Sequence, residues 1–168
     1  MNLIVAVDNN WGIGYNNNLL VSIPADKKFF KNMTIGKTII MGRKTLESFP
    51  GGAPLTGRNN IVITSKKNYN AKGAYVVHDI DEAIKRAHEL SADDDIFVVG
   101  GGRVYADMLD MCKKAYITKV DYTYSADTFF PNIEKKEHWK LESESEEQTC
   151  FDIVYSFCTY TNLLLEKE

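Results

Sequence analysis

Five short apolar runs rich in β-branched residues constrain the fold of this chain more than any other feature. Continuous runs of this length are typical of strands that are buried on both faces of a sheet. Helical patterns separate several of the runs, and this alternation predicts an α/β domain with a mixed, mainly parallel central sheet flanked by helices. The runs lie at 3–7, 38–41, 61–64, 74–77 and 96–99.

Helix signals lie between these runs. A capping-box pattern at 79–82 precedes an apolar stripe that ends near Leu90. A second helix is predicted after Gly102, with five apolar residues facing inward: Val104, Tyr105, Met108, Leu109 and Met111.

The C-terminal third has a different pattern. After a strand at 116–120, two long strands at 139–147 and 150–163 are predicted to form an antiparallel hairpin that closes the sheet. Acidic residues between 142 and 147 alternate with serines and fit the solvent-facing side of an edge strand. Because no repeat or linker divides the sequence, residues 1–168 are predicted to form a single domain.

Charge and cysteine content restrict the function classes. Twenty basic residues against 23 acidic ones give a net charge of -3, so nucleic acid and membrane surfaces are not expected partners. The apolar run near Met1 is too short for a signal peptide or a membrane span, which predicts a cytoplasmic location. The three cysteines include no CxxC pair and the three histidines lack ligand spacing, so neither disulfides nor a metal site are predicted.

Asp26 occupies a position that the helical pattern assigns to an apolar side chain. Pro24 suits the first position of a helix, and Asp26, Phe29, Phe30 and Met33 then share one face. Burial at such a position raises the pKa of a carboxyl, which suits proton transfer or cation binding in a ligand cleft. The alternative is that an acid in the first turn only complements the helix dipole.

Three strand ends carry groups that suit phosphate. Gly100 to Gly102 follow one apolar run and precede a helix start, where backbone N–H groups attract phosphate. Because Tyr105 takes the third glycine position of GxGxxG, this segment alone indicates no Rossmann site, and a tight turn remains an alternative. Basic and hydroxyl residues at 43–45 and 64–67 follow two other runs. On one edge of a parallel sheet, these groups would suit a ligand with several phosphates, including a 2′-phosphate.

From end to end, the chain resembles the dihydrofolate reductase family. The resemblance rests on the order and spacing of segments at 13–14, 24–26, 41–45, 57–59, 99–103 and 127–131. It implies reduction of 7,8-dihydrofolate to 5,6,7,8-tetrahydrofolate, with hydride transfer from NADPH to C6 and protonation at N5. This reaction supports one-carbon metabolism and the synthesis of thymidylate and purines. The resemblance also implies that antifolate inhibitors bind and that the protein is a monomer.

The resemblance implies a role for each matching residue. Asp26 would be the catalytic residue, binding the 2-amino and N3 edge of the pterin and promoting protonation at N5, and Thr118 would hydrogen-bond Asp26 or the pterin amino group. Arg58 would hold the α-carboxylate of the glutamate tail. The remaining substrate contacts would be Ile4, Ala6, Phe30, Phe49, Val99 and Tyr105. The cofactor contacts would be Ala6, Ile13, Gly14, Asn18, Leu19, Gly42, Arg43, Lys44, Thr45, Thr64, Ser65, Lys66, Val99, Gly101, Gly102, Arg103, Val104, Tyr105 and Thr128, with a cis peptide before Gly101.

Two positions depart from the family pattern. Val21 stands where many members have a tryptophan whose indole helps to hold a water near the substrate, and valine cannot donate that hydrogen bond. Lys27 replaces an apolar residue next to Asp26. Two alternatives are a reductase of a riboflavin precursor and a non-catalytic folate- or nucleotide-binding protein. Asp26 and Arg58 together favour the dihydrofolate reductase interpretation over both.

Overall fold

A nine-stranded mixed sheet forms the centre of the computed structural model, which describes residues 1–166. The strands of the chain are β1 Asn2–Val7, β2 Gly12–Tyr15, β3 Asn18–Leu19, β4 Thr38–Gly42, β5 Asn59–Ile63, β6 Ala74–Val77, β7 Ile96–Gly100, β8 Lys114–Val120, β9 Thr128–Phe129, β10 Trp139–Glu144, β11 Gln148–Cys150 and β12 Ile153–Asn162. The α-helices are α1 Pro24–Thr34, α2 Arg43–Ser48, α3 Ile80–Leu90 and α4 Gly102–Met108.

The central sheet confirms the predicted class. Its order is β10-β12-β8-β1-β7-β4-β5-β6, with β11 also paired to β12. All neighbours from β8 to β6 are parallel, whereas β12 is antiparallel to β8, β10 and β11. All five predicted apolar runs are strands of this sheet. Four of the runs are largely buried because helices and loops cover both faces, as the fully buried Leu3, Ile39, Ile61 and Val98 illustrate. The run at 74–77 differs, because β6 is an edge strand and its Tyr75 is exposed.

The C-terminal hairpin differs in detail from the prediction. Its first strand is not continuous from 139 to 147: β10 ends at Glu144, and β11 begins only at Gln148. A register shift between Leu141 and Ser143 marks a bulge, which bends β10 and interrupts its pairing with β12. β10 is the edge strand, and all its residues except Trp139 are exposed, so the acidic stretch faces solvent as predicted.

A second sheet was not predicted. It is antiparallel, has the order β3-β2-β9 and joins the segment after β1 to the segment after β8. Gly14 lies opposite both Leu19 and Thr128 in this sheet. The small sheet therefore brings together distant segments that the resemblance assigns to the cofactor.

The helices follow the predicted signals with one correction. Pro24 begins α1, and the Asp79 side chain accepts a hydrogen bond of 2.8 Å from the Glu82 N–H at the start of α3. Met111, predicted to face inward, is 42% exposed. The reason is that α4 ends at Met108 and a 3₁₀ turn follows, which changes the helical period from 3.6 to 3.0 residues. No helix in residues 1–166 is long and apolar enough to cross a membrane.

Candidate active site

Asp26 lies on the face of α1 that packs towards the central sheet. The Thr118 hydroxyl on β8 donates a hydrogen bond of 2.6 Å to Asp26 Oδ1. Burial raises the pKa of Asp26 above its ordinary value, and the hydrogen bond from Thr118 opposes part of that rise. Phe29, Phe30 and Met33 are half-buried on the same face, so the predicted carboxylate on an apolar helix face is confirmed.

Several predicted substrate residues lie on the strands and in the apolar cluster against which α1 packs. Ala6 on β1 lies opposite Thr118 in the sheet, which places it next to the partner of Asp26. The Tyr105 hydroxyl is buried and donates to the Ile4 carbonyl at 2.7 Å, and both burial and the charge of Asp26 raise the pKa of Tyr105. One apolar cluster holds Ile4 together with Phe30, Phe49 and Val99.

Arg58 lies at the other end of α1. Its Nη1 donates to the hydroxyl of Thr34, the last residue of α1, at 3.2 Å, and its Nε and Nη2 donate to the Thr56 carbonyl. Partial burial lowers the pKa of Arg58, but a guanidinium stays protonated in proteins. Thr34 lies eight residue positions after Asp26, which corresponds to about 12 Å along the helix axis. The acid and the cation therefore lie near opposite ends of α1, with the half-buried Phe29, Phe30 and Met33 on the helix between them.

The predicted phosphate groups share one edge of the sheet. β7, β4 and β5 are parallel neighbours, so the segments that follow them, at 100–104, 42–45 and 64–66, lie side by side. The Gly100–Gly101 peptide is cis, as the resemblance implies. A Cβ on Gly102 would lie 2.7 Å from Cγ2 of Thr128, so only glycine fits this close approach.

The structure adds two groups at this edge that the sequence did not single out. Glu47 forms an ion pair of 2.8 Å with Arg43, one of the predicted phosphate ligands. His78 follows β6, and its Nδ1 lies 2.8 Å from the carbonyl of Thr64. The four-residue spacing of Arg43 and Glu47 on a helix was a readable signal for the ion pair, whereas the position of His78 depends on the strand order.

The second sheet carries the other predicted cofactor residues. Ile13 and Gly14 belong to β2, Asn18 and Leu19 to β3, and Thr128 to β9. The side chain of Asp127 accepts a hydrogen bond of 3.0 Å from the Asn16 N–H. This bond links the turn between β2 and β3 to the residue directly before β9.

The segment before α1 is held by apolar contacts. Val21 packs against a cluster of Ile23, Val120 and Tyr155, so the position of the family tryptophan is occupied here by a packing residue. Residues 1–166 contain no cluster of three or more histidine, cysteine or acidic side chains placed to hold a metal ion.

A half-buried acid and an arginine near opposite ends of α1, beside a sheet edge with glycines and basic groups, fit the class of nucleotide-dependent reductases. The family model described as dihydrofolate reductase matches residues 1–162. The chain belongs to the dihydrofolate reductase family. It is an oxidoreductase that reduces dihydrofolate to tetrahydrofolate with NADPH.

Individual relatives agree with this assignment. The dihydrofolate reductase of Bacillus subtilis is 35% identical over 164 residues, which cover 95% of this chain and 93% of the relative. That of Neisseria gonorrhoeae is 35% identical over 159 residues, covering 94% and 95%. A solved structure of dihydrofolate reductase from Enterococcus faecalis, complexed with NADP(H) and RAB-propyl, superposes with a TM-score of 0.84 at 31% identity, covering 95% of this chain and 94% of that one. The family assignment decides against both alternatives considered from the sequence.

Proposed function

We propose that Asp26 promotes protonation of N5 of dihydrofolate while its carboxylate binds the 2-amino and N3 edge of the pterin. The observation that carries this proposal is the carboxyl of Asp26, half-buried on the cleft face of α1 with a raised pKa and one hydrogen bond, from Thr118. A carboxyl with a raised pKa exchanges a proton near the operating pH more effectively than an exposed one. Because Thr118 donates its only proton to Asp26, its oxygen remains free to accept a hydrogen bond from the pterin amino group.

Arg58 binds the α-carboxylate of the glutamate tail in this proposal. Its guanidinium is oriented by Thr34 and Thr56, and the Arg58 carbonyl accepts a hydrogen bond of 3.0 Å from the buried Asn60 side chain. A planar guanidinium can engage a carboxylate through two parallel hydrogen bonds. Apolar walls between the two charged ends hold the rings, and the same cleft would take antifolate inhibitors. The wall residues are Ile4, Ala6, Phe30, Phe49, Val99 and Tyr105.

The glycine-lined edge of the sheet fits NADPH. Arg43, Ser65 and Lys66 would bind the 2′-phosphate, and Lys44, Thr45 and the backbone of 101–104 would bind the pyrophosphate. The start of α4 supports this assignment, because its N-cap residue Gly101 has no side chain to occupy the first backbone N–H groups of the helix. When bound, NADPH supplies the hydride that reduces C6. The other proposed contacts, including Ile13, Gly14 and Leu19, cover the nicotinamide end.

The test is single-turnover oxidation of NADPH with dihydrofolate across a pH series. Asp26→Asn should slow hydride transfer by about 10²–10⁴-fold near neutral pH, which is the usual contribution of a positioned acid. The deficit should shrink as the pH falls, because protons from solvent then replace the missing acid. The exposed Asp152→Asn variant is the control and should behave as wild type. An Asp26→Asn variant with the wild-type rate at neutral pH would contradict the proposed role.

We also propose that residues 1–168 act as a single-domain monomer in the cytoplasm. One continuous sheet runs from β10 to β6 through the described chain, which supports a single domain. All three cysteines are free, as is usual in a reducing compartment. Light scattering should give the mass of one 19.0 kDa chain, and a dimer mass would contradict the monomer.

A further inference from the structure

A second buried carboxylate lies outside the proposed substrate and cofactor contacts. Asp8 directly follows β1 and is 4% exposed. Its Oδ1 accepts hydrogen bonds from the N–H groups of Asn10, at 2.9 Å, and Gly12, at 2.8 Å, and its Oδ2 accepts one of 3.0 Å from the N–H of Tyr124. Within residues 1–166, no lysine, arginine or histidine nitrogen lies within 4.0 Å of it. Backbone N–H groups alone therefore replace the lost hydration of this charge.

The three N–H groups belong to two different segments. Asn10 lies in the turn between β1 and β2 and Gly12 is the first residue of β2, whereas Tyr124 lies in the loop between β8 and β9. One carboxylate oxygen therefore closes the turn, and the other connects it to a loop 116 residues away in sequence. The connected segments lead directly into β2 and β9, which pair with each other and place Gly14 opposite Thr128.

Packing fixes the carboxylate in this position. A Cβ on Gly12 would lie 3.0 Å from Oδ1 of Asp8 and 2.8 Å from Cβ of Ala126, so the backbone of the turn is pressed against both groups. Asn9 makes two further links between the same segments, through its N–H and its side chain. The side-chain link of Asn9 is exposed, whereas Asp8 contributes a buried charge, and charge-assisted hydrogen bonds are the stronger kind.

We propose that Asp8 is a positioning residue for NADPH binding, because it holds β2 and β9 in the register that presents Gly14 and Thr128 to the cofactor. The inference rests on the cofactor contacts proposed above. Asp8 forms no hydrogen bond with Gly14 or Thr128 and acts through the start of β2 and the loop before β9. Its loss should therefore weaken NADPH binding and leave the Asp26 end of the cleft unchanged.

Asp8→Asn is the variant that tests this proposal most directly. The amide oxygen can take the place of Oδ1 and keep the hydrogen bonds from Asn10 and Gly12. The NH₂ group then faces the N–H of Tyr124, and two donors cannot bond to each other. The turn survives in this variant while the hydrogen bond from Tyr124 to residue 8 is lost, and the weaker links made by Asn9 remain. Asp8→Ser is a second variant that retains an acceptor for the turn but is too short to reach Tyr124.

The measurements are the dissociation constants of NADPH and of an antifolate, together with amide hydrogen exchange at Tyr124. We expect faster exchange at Tyr124, NADPH binding weakened by at least tenfold and antifolate binding within twofold of wild type. Asn162→Ala is the matched control, because its buried side chain also forms hydrogen bonds with backbone groups, here by donating to two carbonyls, but lies where β12 pairs with the start of β8, at the other end of the sheet. This control should lose stability and keep its affinity for NADPH.

Two results would overturn the inference. One is an Asp8→Asn variant with rapid exchange at Tyr124 and unchanged NADPH affinity. The other is an equal weakening of NADPH binding in Asp8→Asn and Asn162→Ala, which would show a general loss of stability. The catalytic role proposed for Asp26 is tested separately, by the rate of NADPH oxidation in the Asp26→Asn variant. The dissociation constants used to test Asp8 are measured without turnover, so they do not depend on that role.

Discussion

Replacement of Asp26 by asparagine should stabilise the folded protein while it removes activity. The ionised carboxyl of Asp26 is desolvated and receives one side-chain hydrogen bond, from Thr118, which only partly compensates for the lost water. Asparagine has nearly the same shape and keeps an acceptor for Thr118. The variant therefore removes the cost of the buried charge without creating a cavity.

The magnitude and its pH dependence follow from the raised pKa of Asp26. An incompletely satisfied buried polar group costs about 1–3 kcal/mol, so we expect a gain of this size in the free energy of unfolding near pH 7. In a chain of this length, each kcal/mol corresponds to a shift of about 2–4 °C in Tm. Below the pKa of the unfolded carboxyl, both states are protonated and the gain vanishes. It grows as the pH rises and is complete above the folded pKa.

The assay is urea unfolding of the ligand-free protein from about pH 4 to pH 8, with the midpoint and the m-value measured at each pH. The exposed Asp152→Asn variant is the control and should stay within about 0.5 kcal/mol of wild type. A variant at Asp26 that is less stable than wild type at pH 7 would refute the reasoning. A gain that increases towards low pH would refute it as well, because the sign of the linkage would then be reversed.

Three further variants test separate parts of the structure. Thr118→Val removes the hydrogen bond that lowers the pKa of Asp26, so the acid-dependent limb of the pH–rate profile should move to higher pH; movement to lower pH would contradict this. Glu47→Gln releases Arg43 from its ion pair, and titrations should show NADPH binding tightened by about two- to fivefold, with NADH binding unchanged. Asp79→Ala removes the N-cap of α3 and should lower the free energy of unfolding by about 1 kcal/mol in denaturant melts without altering kcat.

The parallel part of the central sheet was predictable because its inner strands β1, β4, β5 and β7 are largely buried on both faces and are therefore continuous apolar runs in the sequence. The small sheet was not, because its strands have two to four residues and are rich in glycine and asparagine. Their pairing depends on contacts between β2 and β9, far apart in sequence, and local patterns carry no signal for such pairing. Met111 was misplaced for a local reason, since the change to a 3₁₀ turn leaves no mark in the apolar spacing.

The candidate site was predictable to a similar extent. Asp26 stood out because a charged residue interrupted an apolar helical face. Asp8 gave no such signal, because an aspartate followed by two asparagines is also typical of an ordinary turn. Its partner, the N–H of Tyr124, can be identified only once the two loops are placed side by side. The four-residue spacing of Arg43 and Glu47 predicts an ion pair on a helix. The relevance of this ion pair to cofactor binding follows only from the strand order, which places Arg43 at the predicted phosphate edge of the sheet.

The two buried carboxylates differ in a way that explains their different roles. Asp8 receives three backbone hydrogen bonds, so its charge is compensated within the protein and it suits a structural role. Asp26 receives one, from Thr118, and the loop that leads into its helix offers packing by Val21 instead of the indole donor found in many relatives. Its charge remains under-compensated until a ligand supplies donors. The cost of Asp26 to stability and its proposed attraction for the amino and N3–H groups of the pterin therefore arise from the same unmet hydrogen-bonding capacity.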